Sequence, residues 1–136
     1  MKQKIIIISY NYELSQFPKE PDSENRFYTY GFGGTFGRLF ASHLDNYEFE
    51  VWRLDGNINK KYYDNTIDGI TYKVFRAVTI KKLGLISWKF IKELKKEAKK
   101  SNPILFIVHT HNFQTYQVAY FLKDSMIITT HHGDWS

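Results

Sequence analysis

The run Lys4-Ile5-Ile6-Ile7-Ile8-Ser9 is apolar without alternation. Consecutive β-branched residues suit a strand covered on both faces, so residues 4–9 predict a central strand. Residues 104–108 and 126–130 predict two further strands. Phe49-Glu50-Val51-Trp52-Arg53-Leu54 alternates and predicts another. Thr66-Ile67 and the segment from Ile70 to Phe75 flank Asp68-Gly69, a two-residue hairpin signal. Between these lie helical patterns. Phe36, Leu39, Phe40 and Leu44 recur at helical spacing and predict a helix over 34–46. Ser87 can cap a helix running to about Lys100, with Ile91, Leu94 and Ala98 as its apolar stripe. Pro103 prevents its continuation. A short helix is expected over 113–122. With the hairpin taken as one unit, the order is β-α-β-β-α-β-α-β. Such alternation implies an α/β domain with a mostly parallel sheet.

One stretch fits neither period. Residues 10–32 hold Pro18, Pro21 and seven aromatics: Tyr10, Tyr12, Phe17, Phe27, Tyr28, Tyr30 and Phe32. A loop of this length in a small domain is usually functional or disordered, and its aromatics argue against plain disorder.

Composition narrows the classes. The 136 residues suffice for one domain with a core, and no Cys is present, which excludes disulfides and cysteine zinc sites. No apolar run approaches the ~20 residues of a bilayer span. The N-terminal isoleucine run is too short for a signal peptide and has no cleavage site after it. A cytoplasmic location fits these features. The 19 Lys+Arg against 14 Asp+Glu give +5, a modest pointer to an anionic partner. Lys81, Lys82, Lys89, Lys92, Lys95, Lys96, Lys99 and Lys100 crowd onto one helix and its lead-in. Glu93 and Glu97 can offset them through Lys96 and Lys100 at i+3. The segment 81–100 is either a solvated face or a peripheral contact with an anionic membrane, with Trp88 and Phe90 as candidate anchors. No nucleic-acid-binding motif is present, so no nucleic-acid partner is expected.

The candidate chemistry lies at predicted strand ends. Ligands in open α/β sheets bind beyond the carboxyl ends of the strands. Those ends read Ser9-Tyr10-Asn11-Tyr12-Glu13, His109-Thr110-His111-Asn112 and His131-His132-Gly133-Asp134. Gly31-Phe32-Gly33-Gly34 stands at the mouth of the first long helix. Glycines there bare backbone N–H groups toward an anion, usually phosphate. In a dinucleotide-binding turn the glycines follow their strand at once; here about twenty residues intervene, so an NAD-like site is not expected. Other readings stay open. Gly33-Gly34 can serve a tight turn or close helix–sheet packing. The histidines can be hydrogen-bonded structural residues. His109, His111, His131 and His132, with Asp134, can also be drawn as a metal site of a metallohydrolase, although no acidic partner stands beside His109-Thr110-His111 at a ligand spacing.

Taken in order, several segments resemble one family. They are Lys4-Ile-Ile-Ile-Ile-Ser-Tyr, Gly33-Gly34 with Leu39-Phe40-Ala41-Ser42-His43-Leu44, and Phe49-Glu50-Val51-Trp52. Asp68-Gly69-Ile70 with Phe75-Arg76, Ile107-Val108-His109-Thr110-His111-Asn112 and Ile127-Ile128-Thr129-Thr130-His131-His132-Gly133 complete the set. Together they are similar to the N-terminal domain of GT-B glycosyltransferases of the retaining, glycogen-synthase-like class (family 4). The resemblance implies a Rossmann-like sheet with a β-hairpin insertion, forming the acceptor-side half of a two-domain enzyme. It implies that Gly33, Gly34 and Thr35 meet the phosphates of a nucleotide-sugar donor. It implies that His132, with His131 close behind, contacts the donor sugar at the reaction centre. Tyr10, Asn11, Tyr12, His109, His111 and Asn112 fall on the acceptor side, and the acceptor is a glycan, a lipid-linked sugar or another group. No cofactor and no metal are implied. The nucleotide-sugar domain of such enzymes has no counterpart here, so the resemblance implies a truncated single domain over 1–136 that does not transfer sugar alone. The rival reading is a stand-alone Rossmann-like module for a phosphorylated ligand.

Overall fold

The computed structural model describes residues 2–11, 18–29, 31–82, 84–108 and 113–130, without the side chains of Phe32 and Phe113. The strands are β1 (Gln3–Asn11), β2 (Tyr47–Asp55), β3 (Tyr62–Ile67), β4 (Ile70–Arg76), β5 (Val78–Ile80), β6 (Gly84–Ile86), β7 (Ile104–Val108) and β8 (Ile127–Thr130). The helices are α1 (Arg26–Thr29), α2 (Gly31–His43), α3 (Trp88–Ser101) and α4 (Phe113–Phe121). Six strands form one sheet in the order β3-β4-β2-β1-β7-β8, parallel except for the edge strand β3. The sheet is therefore α/β and mostly parallel, as the alternation predicts. Its parallel strands run outward in both directions from β1, an order compatible with a Rossmann-like fold.

The isoleucine run occupies the centre. Ile6, Ile7 and Ile8 are all fully buried. Successive side chains point to opposite faces, so this one segment seeds two cores. Ile6 and Ile8 join Trp52, Leu54, Leu105 and Ile107 under Phe90, Ile91 and Leu94 of α3 and Val118 of α4. Ile7 joins Phe49 and Val51 on the other face, with Phe36, Phe40 and Phe106 packed against them. Burying each isoleucine contributes about 2 kcal/mol.

The hairpin forms as its turn residues require. Asp68 and Gly69 adopt positive φ values of 52° and 81°, the pairing that matches the twist of the flanking strands. Ser87 caps α3, its Oγ accepting from the Phe90 N–H at 3.2 Å. Asn102 then ends the helix in the left-handed region, before Pro103.

Three elements depart from the sequence-based expectation. Helix α2 begins at Gly31 rather than Gly34. The segment 10–32 is not one loop: Tyr10 and Asn11 extend β1, while Phe27 and Tyr28 lie in α1 with Phe27 fully buried. Phe27 packs edge-on against Tyr28 and Tyr63, so part of this aromatic stretch builds core. The short antiparallel pair β5–β6 was not expected, because Lys81-Lys82 and Gly84 interrupt any apolar period.

Glu97 departs as well. It turns inward rather than toward Lys100, and the Lys4 ammonium lies 3.2 Å from it and 2.7 Å from Glu50. Trp52 Nε1 donates to Glu50 at 2.8 Å, and Ser101 Oγ donates to Glu97 at 2.6 Å. This buried cluster fastens the carboxyl end of α3 to the amino ends of β1 and β2. Burial alone would lower the pKa of Lys4, but Glu50 and Glu97 outweigh it and raise it above the ordinary 10.5. Burial alone would raise that of Glu97, but Ser101 and Lys4 outweigh it and hold it below the ordinary 4.5.

The pH window follows from these directions. The Glu97 contribution is complete above its ordinary value and is lost as pH falls through the lowered one. The Lys4 contribution is complete below its ordinary value and is lost as pH rises through the raised one. Lys4→Met strands two buried carboxylates and should cost about 3 kcal/mol near neutral pH in urea unfolding. The deficit should shrink as Glu97 protonates in acid; a deficit independent of pH would show that the Lys4–Glu97 contact is not ionic.

Candidate functional site

The parallel strands deliver their carboxyl ends to one edge, and parallel pairing sets which residues meet there. Asn11 of β1 lies beside Asp55 of β2, which lies beside Arg76 of β4. Asn11 Nδ2 donates to Asp55 Oδ2 at 2.9 Å, and the Asn57 N–H donates to Asp55 Oδ1 at 2.9 Å. Arg53 Nε is 3.3 Å from Asp55 Oδ2. Arg53 Nη1 donates to the Phe27 carbonyl at 2.6 Å, and its guanidinium lies 5.1 Å from the centre of the Phe27 ring. Burial pushes the pKa of Arg53 down and the Asp55 carboxylate opposes it. Asn11, Arg53 and Asp55 are each buried, Asp55 almost completely. They form a charged, hydrogen-bonded floor that ties β1, β2 and α1 together.

The opposite face of β1 is tied separately to α4. Tyr10 is buried, and its hydroxyl shares a 2.9 Å hydrogen bond with Thr115 Oγ1, joining β1 to α4. Gln114 Oε1 accepts from the Ser87 N–H at 2.5 Å, and Gln114 Nε2 donates to Gln117 Oε1. Helix α2 packs on one face of the sheet after β1, and α4 packs on the other face after β7. The crevice between β1 and β7 is therefore the point at which the winding direction reverses, the usual ligand position in open α/β sheets.

The glycines of α2 have a definite local role. A Cβ on Gly33 would stand 2.5 Å from Ser9 Oγ and 3.2 Å from Val51 Cγ1. One on Gly34 would stand 2.1 Å from the Thr29 carbonyl oxygen. One on Gly37 would stand 2.7 Å from Val51 Cγ2. Close helix–sheet packing therefore needs Gly33 and Gly37 bare, and the close approach of α1 needs Gly34 bare. The same packing sets the first turn of α2, whose leading N–H groups have no partner within the helix, over the end of β1. Thr35 is exposed, and its hydroxyl donates to the Gly31 carbonyl at 3.0 Å.

The residues expected to do chemistry divide accordingly. Tyr10, Asn11, Gly33, Gly34 and Thr35 gather at the carboxyl edge. Tyr10 and Asn11 are engaged by Thr115 and Asp55. Tyr12, His109, His111, Asn112, His131 and His132 lie outside the described residues, although β7 and β8 end at Val108 and Thr130 on this same edge. Among the described residues, no group of three or more His, Cys, Asp and Glu is placed to hold a metal ion. Sequence reading missed the Arg53–Asp55–Asn11 floor. Its signal was two charged residues ending a strand otherwise buried on both sides, a placement that requires them to pair. Comparison of the chain with protein-family models, curated proteins and solved structures gives no significant match.

The packing role of the glycines is measurable. Gly34→Ala meets backbone and should destabilise by about 3 kcal/mol, whereas Gly33→Ala meets the small Ser9 side chain and should cost nearer 1–2 kcal/mol. Thermal unfolding of the two variants gives the order. Equal, negligible losses would mean that α2 sits farther from both α1 and the sheet.

Proposed function

We propose that this chain is the acceptor-side half of a GT-B glycosyltransferase of the retaining, glycogen-synthase-like type. Such an enzyme moves a sugar from a nucleotide-sugar donor to a glycan, lipid-linked or other acceptor. One observation carries the reading: the doubly wound parallel sheet brings the first turn of α2 over the end of β1 at the switch point. In this reading the N–H groups of Gly33 and Gly34, with the Thr35 hydroxyl, face the donor diphosphate. Backbone dipoles at a helix start stabilise the charge that grows on a departing phosphate. His132, supported by His131, contacts the donor sugar where its bond to the diphosphate breaks.

The acceptor side is formed by the ends of β1 and β7. Tyr10 and Asn11 act there by position, since their polar groups are already bonded to Thr115 and Asp55. Tyr12, His109, His111 and Asn112 are the groups assigned to the acceptor itself. The buried Arg53–Asp55 pair keeps the floor rigid, so that these residues start from a fixed platform.

The reading is tested in a polypeptide that carries both halves. His132→Ala should lower sugar transfer roughly 100-fold, as loss of one transition-state contact does, with an unchanged unfolding temperature. Full transfer by that variant would remove His132 from the site. Calorimetry on the present chain separates the rival module: tight binding of a sugar phosphate without a second domain would favour it over a half-site.

A further inference from the structure

Helices α3 and α4 lie side by side in one layer, and their outward faces differ from an ordinary solvated surface. Trp88, Lys92, Lys95 and Lys99 follow one another at steps of four, three and four, so they form a single row along α3. All four are exposed, Trp88 by 62%. The opposite face of α3 buries Phe90, Ile91 and Leu94. Of the two acids on this helix, Glu97 is turned inward to Lys4, and Glu93 lies 3.9 Å from both Lys89 and Lys96. Among the described residues, no ion pair engages Lys92, Lys95 or Lys99.

The neighbouring helix has no charge at all. Its sequence is Phe-Gln-Thr-Tyr-Gln-Val-Ala-Tyr-Phe, and while Val118 enters the core, Tyr116 and Tyr120 stand 67% and 76% exposed. The two helices meet where Lys95 Nζ lies 5.1 Å from the centre of the Phe121 ring. Both pack on the same face of the sheet, and the lysine row and the tyrosine pair are exposed on the outer side of that layer.

This pairing has a chemical match. Trp and Tyr have an apolar ring and a polar tip, which suit the headgroup level of a bilayer. Lysines beside them are attracted to anionic headgroups, and each strengthens attachment roughly fivefold. Nucleic acid fits less well, because this face has no arginine fork and α3 carries no Arg. We infer that the α3–α4 layer is a peripheral docking surface for an anionic lipid bilayer. The row Lys92, Lys95 and Lys99 contacts the headgroup phosphates, and Trp88, Tyr116 and Tyr120 enter the interface. The inference rests on this surface alone and is independent of the reaction at the carboxyl edge.

Vesicle co-sedimentation tests it, with phosphatidylcholine alone and with about one third phosphatidylglycerol. Binding is expected only to the anionic vesicles and should fade at about 0.5 M salt. The triple variant K92E/K95E/K99E should lose at least about 100-fold in affinity, and K92Q/K95Q/K99Q should fall between it and the unaltered chain. Y116S/Y120S should weaken binding several-fold without changing its dependence on salt. Vesicles should also shift the tryptophan emission to shorter wavelength, and Trp88→Phe should abolish that shift. Absence of binding, equal binding to neutral vesicles, an unaffected triple-glutamate variant, or displacement of the vesicles by single-stranded RNA at equal charge would each overturn the inference.

Discussion

Helix α2 can lie on the sheet and against α1 only because three of its positions carry no side chain. Gly33 and Gly37 let its backbone approach Ser9 and Val51, and Gly34 lets α1 end against it. That approach has consequences on several levels. It brings Phe36 and Phe40 down onto Phe106 and Phe49, filling the second core with rings set 5.3–6.3 Å apart. It fixes the start of α2 over the end of β1. It also leaves α1 close enough to the sheet for the Phe27 carbonyl to meet Arg53. A phosphate-binding turn and a packing device therefore make the same demand on these glycines, and the packing demand alone accounts for their presence. The functional reading depends on where the turn is held, not on the bareness of the residues.

The two ends of the sheet solve the same electrostatic problem differently. At the amino end, one lysine serves two carboxylates that belong to different elements, so the pairing binds α3 to the strands. At the carboxyl end, Arg53 and Asp55 come from one strand and sit two residues apart, on the same side. That pair does not bridge distant elements by itself. It does so through its remaining valences, to Asn11 on β1 and to the Phe27 carbonyl on α1. A buried ion pair is weak evidence of stability, since desolvation offsets much of the attraction. Its value here is geometric: it specifies how β1, β2 and α1 meet beneath the crevice.

Much of this fold was legible in the chain. The unbroken isoleucines could only be a strand covered twice, and Asp68-Gly69 could hardly be other than a hairpin turn. Ser87 and Pro103 bounded α3 correctly because capping and ring sterics act locally. The failures share a cause: they depend on partners far along the chain. Glu97 reads as a surface residue until Lys4, on another element, is brought beneath it. Phe27 reads as a loop aromatic until Arg53 and Tyr63 enclose it. The β5–β6 pair is three residues to a strand, too short for any period to declare itself. At the candidate site, sequence pointed correctly to the carboxyl edge for Tyr10, Asn11 and the start of α2. It did not reveal that Asn11 and Tyr10 are themselves held, because their partners Asp55 and Thr115 lie far along the chain.

The two faces of the sheet are not equivalent, and the difference bears on how the domain is oriented. Helix α2 covers one face, and the lysine-bearing α3 covers the other beside the uncharged α4. The carboxyl edge of the sheet lies between these layers. A surface held flat against the α3–α4 layer would therefore run alongside the crevice without closing it. Under the proposed reading, an acceptor held in that surface would reach the carboxyl edge from the α3–α4 side and the donor from the α2 side. Under the proposed reading, attachment and chemistry would use separate parts of the domain, and the buried Lys4–Glu97 contact, with Phe90, Ile91 and Leu94 in the core, holds α3 in place on the sheet.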